Sequence, residues 1–358
     1  MGILSNLSFG TGKVGIDIGS NTMKIVEMKN SGDLELSKYK IVPIPKNMVN
    51  VNFNDEFIVD KEGFKEVLDN NLKSMGIKNQ KAVVLLSDGT AVINWLTIKL
   101  GENEDLEVSI TEKLNTLFPS DITNWVYNYQ KLEEKKDNYT VISEAILNTN
   151  MIEIGEMMHE FKIWPHAMDV SCFNAVNVFH SFLISAENQK KNISLINMGH
   201  DSTTVMIFNS GVLKSFRIIP YAGKDFTFTI SETLDKTVEE AENYKKAERF
   251  FLREYSEEQN RLDNYNIIKS VFGEIIKGIY NSFDSYLAKF REFKIHKIVL
   301  FGGGANFRNI NVLLQKHLNI PVVLSSELYS LKYKGNEMSA DQKNTLLPIV
   351  GGLLRDDI

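Results

Sequence analysis

The stretch VGIDIGSNTMKIVE, at residues 14–27, and the stretch ISLINMGHDSTTVMIF, at residues 193–208, follow one pattern. In each, an apolar run enters a tight glycine turn with small polar residues, and a second apolar run leaves it. Turn residues then follow in both places, as Asn30-Ser31-Gly32 and as Asn209-Ser210-Gly211. Apolar runs separated by such turns are typical of β-hairpins. The sequence therefore predicts the same hairpin twice, about half the chain length apart.

The two glycine turns predict two related lobes that bind a polyphosphate. Glycine lets backbone N–H groups approach phosphate oxygens, and hydroxyl groups donate further hydrogen bonds. The candidate ligands of the first loop are Asp17, Gly19, Ser20, Asn21, Thr22 and Lys24, and those of the second loop are Asn197, Gly199, Ser202 and Thr203. Asp17 is also a candidate for holding Mg²⁺ through water, because that ion keeps several water ligands. An ordinary turn between strands would use the same residue types, but two matching loops favour phosphate binding.

Two further segments carry candidate binding residues. Gly302, Gly303, Gly304 and Ala305 lie between an apolar strand, Lys297 to Phe301, and a predicted helix, Asn306 to His317. Three consecutive glycines allow a ligand or another backbone to lie directly against the chain. In the predicted helix EEAENYK, Glu242 and Lys245 are one turn apart, where both side chains could reach a ribose. A solvated ion pair is the alternative interpretation of this pair.

The composition limits the classes of function. The chain has 358 residues, a net charge of −6 and a single cysteine, Cys172. The acidic balance argues against nucleic acid as the main partner. A lone cysteine excludes a disulfide or a multi-thiolate metal cluster within one chain, which indicates a reducing compartment. Apolar runs are shorter than the roughly 20 residues that cross a bilayer. We therefore expect a cytoplasmic protein that reaches a membrane only through a partner.

The order of predicted strands and helices suggests four parts. The core of lobe one is expected at residues 1–90, 166–188 and 341–358, with a small α+β insertion at residues 91–165. The core of lobe two is expected at residues 189–222 and 294–340. A helical subdomain of lobe two is expected at residues 223–293.

DIGSNTMK, NMGHDSTT, AENYK and FGGGANF, in this order, resemble the actin-like ATPase superfamily. The opening VGIDIGS, the insertion and the apolar C-terminal run GGLLR are similar to the PilM family within its FtsA/PilM branch. This resemblance covers nearly the whole chain. It implies an α/β, two-lobed actin-like fold built from duplicated ribonuclease-H-like domains, with the FtsA/PilM-type insertion in lobe one.

The resemblance also implies a function. PilM proteins are ATP-binding components of type IV pilus assembly, the machinery behind twitching motility. The implied cofactors are ATP or ADP with Mg²⁺. The implied partner is the N-terminal cytoplasmic peptide of an inner-membrane PilN-like protein, held in a groove between lobe one and the insertion. Pilus motor or platform proteins are further candidate partners.

The second loop departs from the superfamily at Asn197, where the pattern normally has Asp. An amide adds no negative charge and cannot act as a base, so we expect nucleotide binding with slow hydrolysis at most. A small-molecule kinase of the same fold is one alternative, and Asp169 or Asp201 would then be the base. An FtsA-like cell-division scaffold is the other alternative, although the C-terminal amphipathic helix of that family has no counterpart here.

Overall fold

A computed structural model describes residues 13–29, 34–247 and 259–355, and the predicted Asn30-Ser31-Gly32 turn lies outside these ranges. The chain forms two compact units. Unit 1 consists of residues up to 25 and residues 40–170, and unit 2 consists of residues 26–39 and the chain from residue 171 onward. The finer division into four parts stays a prediction.

Unit 1 contains the first glycine turn and the insertion. Its elements are β1 (Lys13–Ile18), the first part of β2 (Thr22–Met28), the last part of β3 (Glu35–Pro43), α1 (Lys61–Met75), β4 (Gln80–Leu86), β5 (Ala91–Lys99), α2 (Leu106–Leu117), β6 (Trp125–Lys135), β7 (Asn138–Leu147), α3 (Asn148–Glu160) and β8 (Ile163–Val170). Asp60 caps α1 by accepting from the N–H of Gly63, and Gly76 ends that helix at φ 62°. These are the sequence signals that predict the helix boundaries.

The strands β1, β4 and β8 are parallel neighbours in unit 1. Their register places Asp17, Leu85 and Asp169 in one row across the three strands, near the carboxyl end of each. The carboxyl ends of parallel strands are the usual position of ligand sites in α/β proteins. Both acidic residues that the sequence picks out in this unit therefore lie at one edge of the sheet.

The insertion of unit 1 has its own sheet, with the order β5-β7-β6. One face of this sheet packs on α2 around a core that includes Leu96, Ile110, Leu114 and Val141. Tyr127 on β6 also lies on this face, and its hydroxyl is 2.6 Å from Thr111 on α2. Helix α2 begins after Asp105, which caps it by accepting from the N–H groups of Glu107 and Val108.

Unit 2 contains the second hairpin and most of the helices. Its elements are the remaining parts of β2 and β3, α4 (Ser171–Ile184), β9 (Asn192–Met198), β10 (Thr203–Asn209), β11 (Val212–Ile219), α5 (Gly223–Leu234), α6 (Val238–Lys246), α7 (Gln259–Phe290), β12 (Lys297–Phe301), α8 (Ile310–Leu318), β13 (Val322–Leu324), β14 (Lys332–Tyr333), β15 (Asn336–Glu337) and α9 (Ala340–Gly352). Helices α5, α7 and α8 bury a core against the sheet that includes Phe226, Ile275 and Leu314.

The predicted duplication is visible in the sheet topology. The described strands include a sheet with the order β15-β14-β3-β2-β1-β4-β8 and a sheet with the order β11-β10-β9-β12-β13. In both, a strand that leads into a glycine turn has its hairpin partner on one side and a parallel strand on the other. The turn between β10 and β11 has Ser210 at φ 52° and Gly211 at φ 78°, as a tight hairpin turn requires.

The last helix packs closely against α4, and both belong to unit 2. A Cβ on Gly351 would lie 2.0 Å from the carbonyl oxygen of Asn174, so the helix backbones touch at this glycine. No helix within the described ranges has both the length and the apolar character that crossing a bilayer requires.

Candidate nucleotide-binding site

The first glycine loop, between β1 and β2, is a tight turn in unit 1. The N–H of Gly19 donates to the carbonyl oxygen of Thr22 over 3.1 Å, and the N–H of Ile44 donates to that of Asn21 over 2.9 Å. Asp17 is only 2% exposed, and the ammonium of Lys24 lies 3.1 Å from its carboxylate. Ser20 and Thr22 are half-buried. Two of the predicted ligands, Asp17 and Lys24, therefore form an ion pair with each other.

The second glycine loop, between β9 and β10, repeats this turn in unit 2. The N–H of Gly199 donates to the carbonyl oxygen of Ser202 over 3.0 Å. The hydroxyl of Thr203 donates to the carbonyl oxygen of Tyr221 over 2.8 Å. Asn197 lies on β9 and is paired with Thr204 on one side and Phe301 on the other. Thr203 is fully buried and supports the loop, whereas Gly199 and Ser202 are half-buried.

The start of α5 rests on the second loop. The N–H of Gly223 donates to the carbonyl oxygen of Gly199 over 3.2 Å, and that of Lys224 donates to the carbonyl oxygen of His200 over 2.8 Å. The ammonium of Lys224 also lies 3.0 Å from the carboxylate of Asp201. Helix N-termini carry a partial positive charge that favours anions. This helix position, which the sequence patterns do not identify, adds positive potential beside the loop.

His200 is a titratable group beside the second loop that sequence reasoning missed. Burial lowers the pKa of its imidazole, because desolvation disfavours the cation. Asp201 and Glu242 act against this shift, whereas Lys245 and Lys224 act with it. The loop thus holds a largely neutral imidazole at physiological pH, at the position where the first loop has Ser20.

The glycines 302–304 lie directly on the second loop. Gly302 has φ +87°, and a Cβ there would lie 2.4 Å from Oδ1 of Asn197. A Cβ on Gly304 would lie 2.3 Å from Cγ of Met198. Gly303 differs, since it is exposed and a Cβ there would meet nothing within 4 Å. The two outer glycines are required by close contact with the loop, whereas the middle one faces open space.

The helix after these glycines begins later than predicted. Residues Gly303–Asn306 form a 3₁₀ turn that includes Ala305, and Asn309 has φ 63°, which breaks the helical backbone before α8 starts at Ile310. This left-handed residue is compatible with Asn but interrupts an α-helix. The prediction of a continuous helix from Asn306 was therefore wrong by four residues.

Asn344 on α9 ties the glycine loop to the rest of unit 2. Its carbonyl oxygen accepts from the N–H of Gly302 over 3.0 Å. Its side-chain oxygen accepts from the hydroxyl of Ser325 over 2.8 Å and from the N–H of Ser326 over 3.0 Å. Its amide nitrogen donates to Asn306 over 3.0 Å. Asn344 is 1% exposed. No sequence pattern marks this residue, because its partners are far away in the chain.

Glu242 and Lys245 on α6 form a buried ion pair. The ammonium of Lys245 lies 2.5 Å from Oε2 of Glu242, and that of Lys246 lies 3.1 Å from Oε1. Burial alone would raise the pKa of Glu242, but Lys245, the hydroxyl of Thr227 and Lys246 outweigh it and lower the pKa to about 2. Burial lowers the pKa of Lys245, and Glu242 opposes that shift. The pair is therefore more than the solvated surface pair of the alternative interpretation.

Three of the four predicted segments meet in unit 2. Glycines 302–304 touch the second loop at Asn197 and Met198. The helix α6 reaches the same region, because the ammonium of Lys245 lies 5.6 Å from the ring centroid of Phe307, just after the glycines. The remaining segment, the first glycine loop, belongs to unit 1.

Both acidic residues of the kinase alternative make contacts within the protein. Asp201 is paired with Lys224. Asp169 accepts from the N–H of the next residue, Val170, over 2.7 Å. A general base must reach the acceptor's proton with an available oxygen. Asp201 makes its ion pair through Oδ1, and its Oδ2 is buried without a hydrogen-bond partner in the structure.

Comparison with known proteins agrees with the topology. The structure is similar to that of the PilM-PilN type IV pilus biogenesis complex, with a TM-score of 0.78, 18% identity, and coverage of 96% of this chain and 97% of that one. It is also similar to MreB5 of Spiroplasma citri bound to ADP, with a TM-score of 0.53, 13% identity, and coverage of 95% and 94%. EutJ from Carboxydothermus hydrogenoformans gives a TM-score of 0.55 at 12% identity, covering 98% and 91%. The chain has the actin-like ATPase fold.

The sequence comparisons identify the family. The family model of the type IV pilus assembly protein PilM matches residues 15–353. The chain belongs to the PilM family. A stretch of 66 residues is also 39% identical to the cell division protein FtsA of Bacillus subtilis (strain 168), which corresponds to 18% of this chain and 15% of that protein.

Proposed function

We propose that this chain binds ATP or ADP and connects nucleotide binding to a PilN-like partner in type IV pilus assembly. One observation carries the nucleotide proposal: the second loop, the glycine loop and α6 meet in unit 2, and Gly303 presents open space there. Exposed backbone beside a helix N-terminus suits phosphate, and the Glu242 carboxylate suits ribose hydroxyls. The relative MreB5 was solved with ADP.

In unit 1, Asp17 is the residue that we assign to a magnesium ion. Asp17 is the proposed Mg²⁺ contact through water, and Lys24 already balances its charge. Within the described residues there is no group of three or more His, Cys, Asp or Glu side chains that could hold a metal. Mg²⁺ commonly binds through one or two carboxylates together with substrate phosphates and water. The ion would therefore enter with the nucleotide, and it would neutralise phosphate charge.

The proposed partner follows from the family. The structural similarity to the PilM-PilN complex covers 96% of this chain, so we propose that this chain binds a PilN-like peptide. Through that partner the chain would be attached to the inner membrane. The expected binding surface is the groove between the insertion and the rest of lobe one. On the insertion sheet, α2 covers one face, and Val126, 44% exposed, belongs to the opposite face. An exposed apolar position on an edge strand suits an extended peptide.

A titration tests the nucleotide proposal. Gly303→Val places a side chain in the open space, so we expect a fluorescent ATP analogue to bind at least about tenfold more weakly with an unchanged melting temperature. Gly273→Val is the matched control, because Gly273 is also exposed in unit 2 with nothing within 4 Å of its Cβ position. If the wild type does not bind the analogue at millimolar concentration, the proposal fails.

A further inference from the structure

The ammonium group of Lys245 has no proton left for a ligand. A lysine side chain carries three N–H donors. In the structure three acceptors surround them: Oε2 of Glu242 at 2.5 Å, Oγ1 of Thr227 at 2.6 Å and the carbonyl oxygen of Gly223 at 2.9 Å. The side chain is 7% exposed. The sequence predicts that Lys245 reaches a ribose, but its geometry satisfies it completely within the protein.

One partner of Lys245, Gly223, is hydrogen-bonded to the second glycine loop. Gly223 is the first residue of α5, and its N–H donates to the carbonyl oxygen of Gly199. Gly223 therefore joins the two: its carbonyl oxygen accepts from Lys245, and its N–H donates to the second glycine loop. The next residue, Lys224, donates to the carbonyl oxygen of His200. A Cβ on Gly223 would lie 3.1 Å from the oxygen of Gly199, so the start of the helix and the loop are in direct contact.

Lys245 also lies close to Phe307, just after glycines 302–304. Its ammonium lies 5.6 Å from the ring centroid of Phe307, and that ring packs edge-on against Phe226 of α5 at 5.1 Å. Buried charge-assisted hydrogen bonds are the strongest of their kind, and they lose most when one partner is removed. Removing Lys245 would take the cation from the carbonyl oxygen of Gly223 and from Oε2 of Glu242, whereas Oε1 of Glu242 would keep Lys246.

We infer that Lys245 is a positioning residue, which joins α6 to the start of α5 and thereby fixes the second phosphate loop without touching the nucleotide. This inference rests on the proposed function only in taking that loop as the phosphate site. Lys245 and Thr227 contact Oε2 of Glu242, so we assign the ribose to Oε1, whose contact is the exposed Lys246.

Hydrogen exchange of the nucleotide-free protein tests the mechanical part. In Lys245→Met, the amides of Gly223 and Lys224 should exchange at least about tenfold faster than in the wild type, because the start of α5, which carries both N–H groups, loses the ammonium that holds the carbonyl oxygen of Gly223. Lys246→Met is the matched control: Lys246 pairs with the same carboxylate, but its side chain is 63% exposed and contacts no part of α5 in the described bonds. Its exchange should equal that of the wild type. Unchanged exchange in Lys245→Met, or equal acceleration in both variants, would overturn the inference.

Ligand binding tests the functional part. A lysine that touches the ribose would weaken adenosine and ATP by the same factor when replaced. A positioning lysine should weaken ATP about tenfold or more and adenosine little, because the loop it supports faces phosphate. Equal losses for both ligands would contradict the inference. If Lys245→Met does not fold, Thr227→Val keeps the ion pair, removes one acceptor, and should give the same order of losses.

The two arms separate the two proposals. Faster exchange in Lys245→Met together with no binding of ATP to the wild type would retain the link between α6 and the loop and would reject the nucleotide site. Strong ATP binding with equal losses for adenosine and ATP would retain the nucleotide site and reject the positioning role.

Discussion

Gly199 donates its N–H to the carbonyl oxygen of Ser202 over 3.0 Å, which is the hydrogen bond that Gly19 makes to Thr22 over 3.1 Å. In both turns a Cβ on the glycine would lie within 3.1 Å of the accepting oxygen. The two glycine turns therefore share this backbone hydrogen bond as well as their sequence pattern. Since the two turns share their backbone geometry, they differ chemically through their side chains, with Asn197 in place of Asp17 and His200 in place of Ser20.

Asn197 should limit ATP hydrolysis. An amide cannot take up a proton or add negative charge near a metal-bound water, whereas a carboxylate can. We expect slow steady-state phosphate release by the wild type and a rise of about tenfold or more in Asn197→Asp. Asn336→Asp, an exposed change on β15, is the control and should have no effect. Rapid turnover that survives Asn197→Ala would show that this residue does not limit the reaction.

Gly302 should tolerate no side chain. Its φ of +87° is costly for other residues, and a Cβ would clash with Asn197 and Met198. Gly335→Ala is the matched control, because Gly335 has φ +80° with nothing within 4 Å. We expect Gly335→Ala to cost about 1 kcal/mol and Gly302→Ala about 2–4 kcal/mol in urea unfolding. Equal costs would mean that the contact with the second loop is not rigid.

Asn344 should contribute to both stability and nucleotide binding. Asn344→Ala leaves the buried hydroxyl of Ser325 and the N–H of Ser326 without their acceptor. Buried groups left unsatisfied in this way cost about 1–3 kcal/mol each. We expect a lower melting temperature and weaker ATP binding. Asn336→Ala removes an exposed amide and should change neither.

Acid should weaken unit 2 through His296. Its Nδ1 accepts from the N–H of Asn192 over 2.9 Å, which requires the neutral ring. Burial lowers the pKa of His296, and the positive charges of Lys294 and Lys191 add to this effect. Because the folded pKa lies below the unfolded value near 6.5, the unfolded state binds more protons in between, and stability falls as pH drops below about 6.5.

The measurement is the urea midpoint at pH 7.5 and at pH 5.5. The loss between these values should be smaller in His296→Gln than in the wild type. Some loss should remain, because His200 also has a lowered pKa. An identical loss in both proteins would exclude His296 as a source of the pH dependence.

The partner peptide should distinguish the two faces of the insertion. Val126→Asp places a charge on the face opposite α2, and we expect it to weaken a PilN-like peptide about tenfold or more in a fluorescence titration. Val108→Asp makes the same change on α2, where Val108 is 55% exposed, and should leave binding unchanged. Loss of binding in Val108→Asp alone would move the partner to the α2 side.

Local patterns predicted most elements of the fold. Apolar runs between turns predicted β1, β2, β9 and β10. The start of α8 was missed because the left-handed Asn309 leaves no apolar signature. Within the candidate site, glycine spacing identified the loops, whereas Asn344 and His200 were missed because their importance lies in contacts with distant segments.

The sequence by itself determined the duplicated hairpin, the glycine loops and the family, because these depend on residue types at short spacing. The tertiary structure alone decided what those residues touch. In the structure Asp17 forms an ion pair with Lys24, Gly302 lies against Asn197, and the ammonium of Lys245 has three acceptors. The physical reason is that a contact depends on the position of its partner. Neighbouring strands bring Asp17 to Lys24 and Gly302 to Asn197, and the packing of α6 on α5 brings Lys245 to its acceptors.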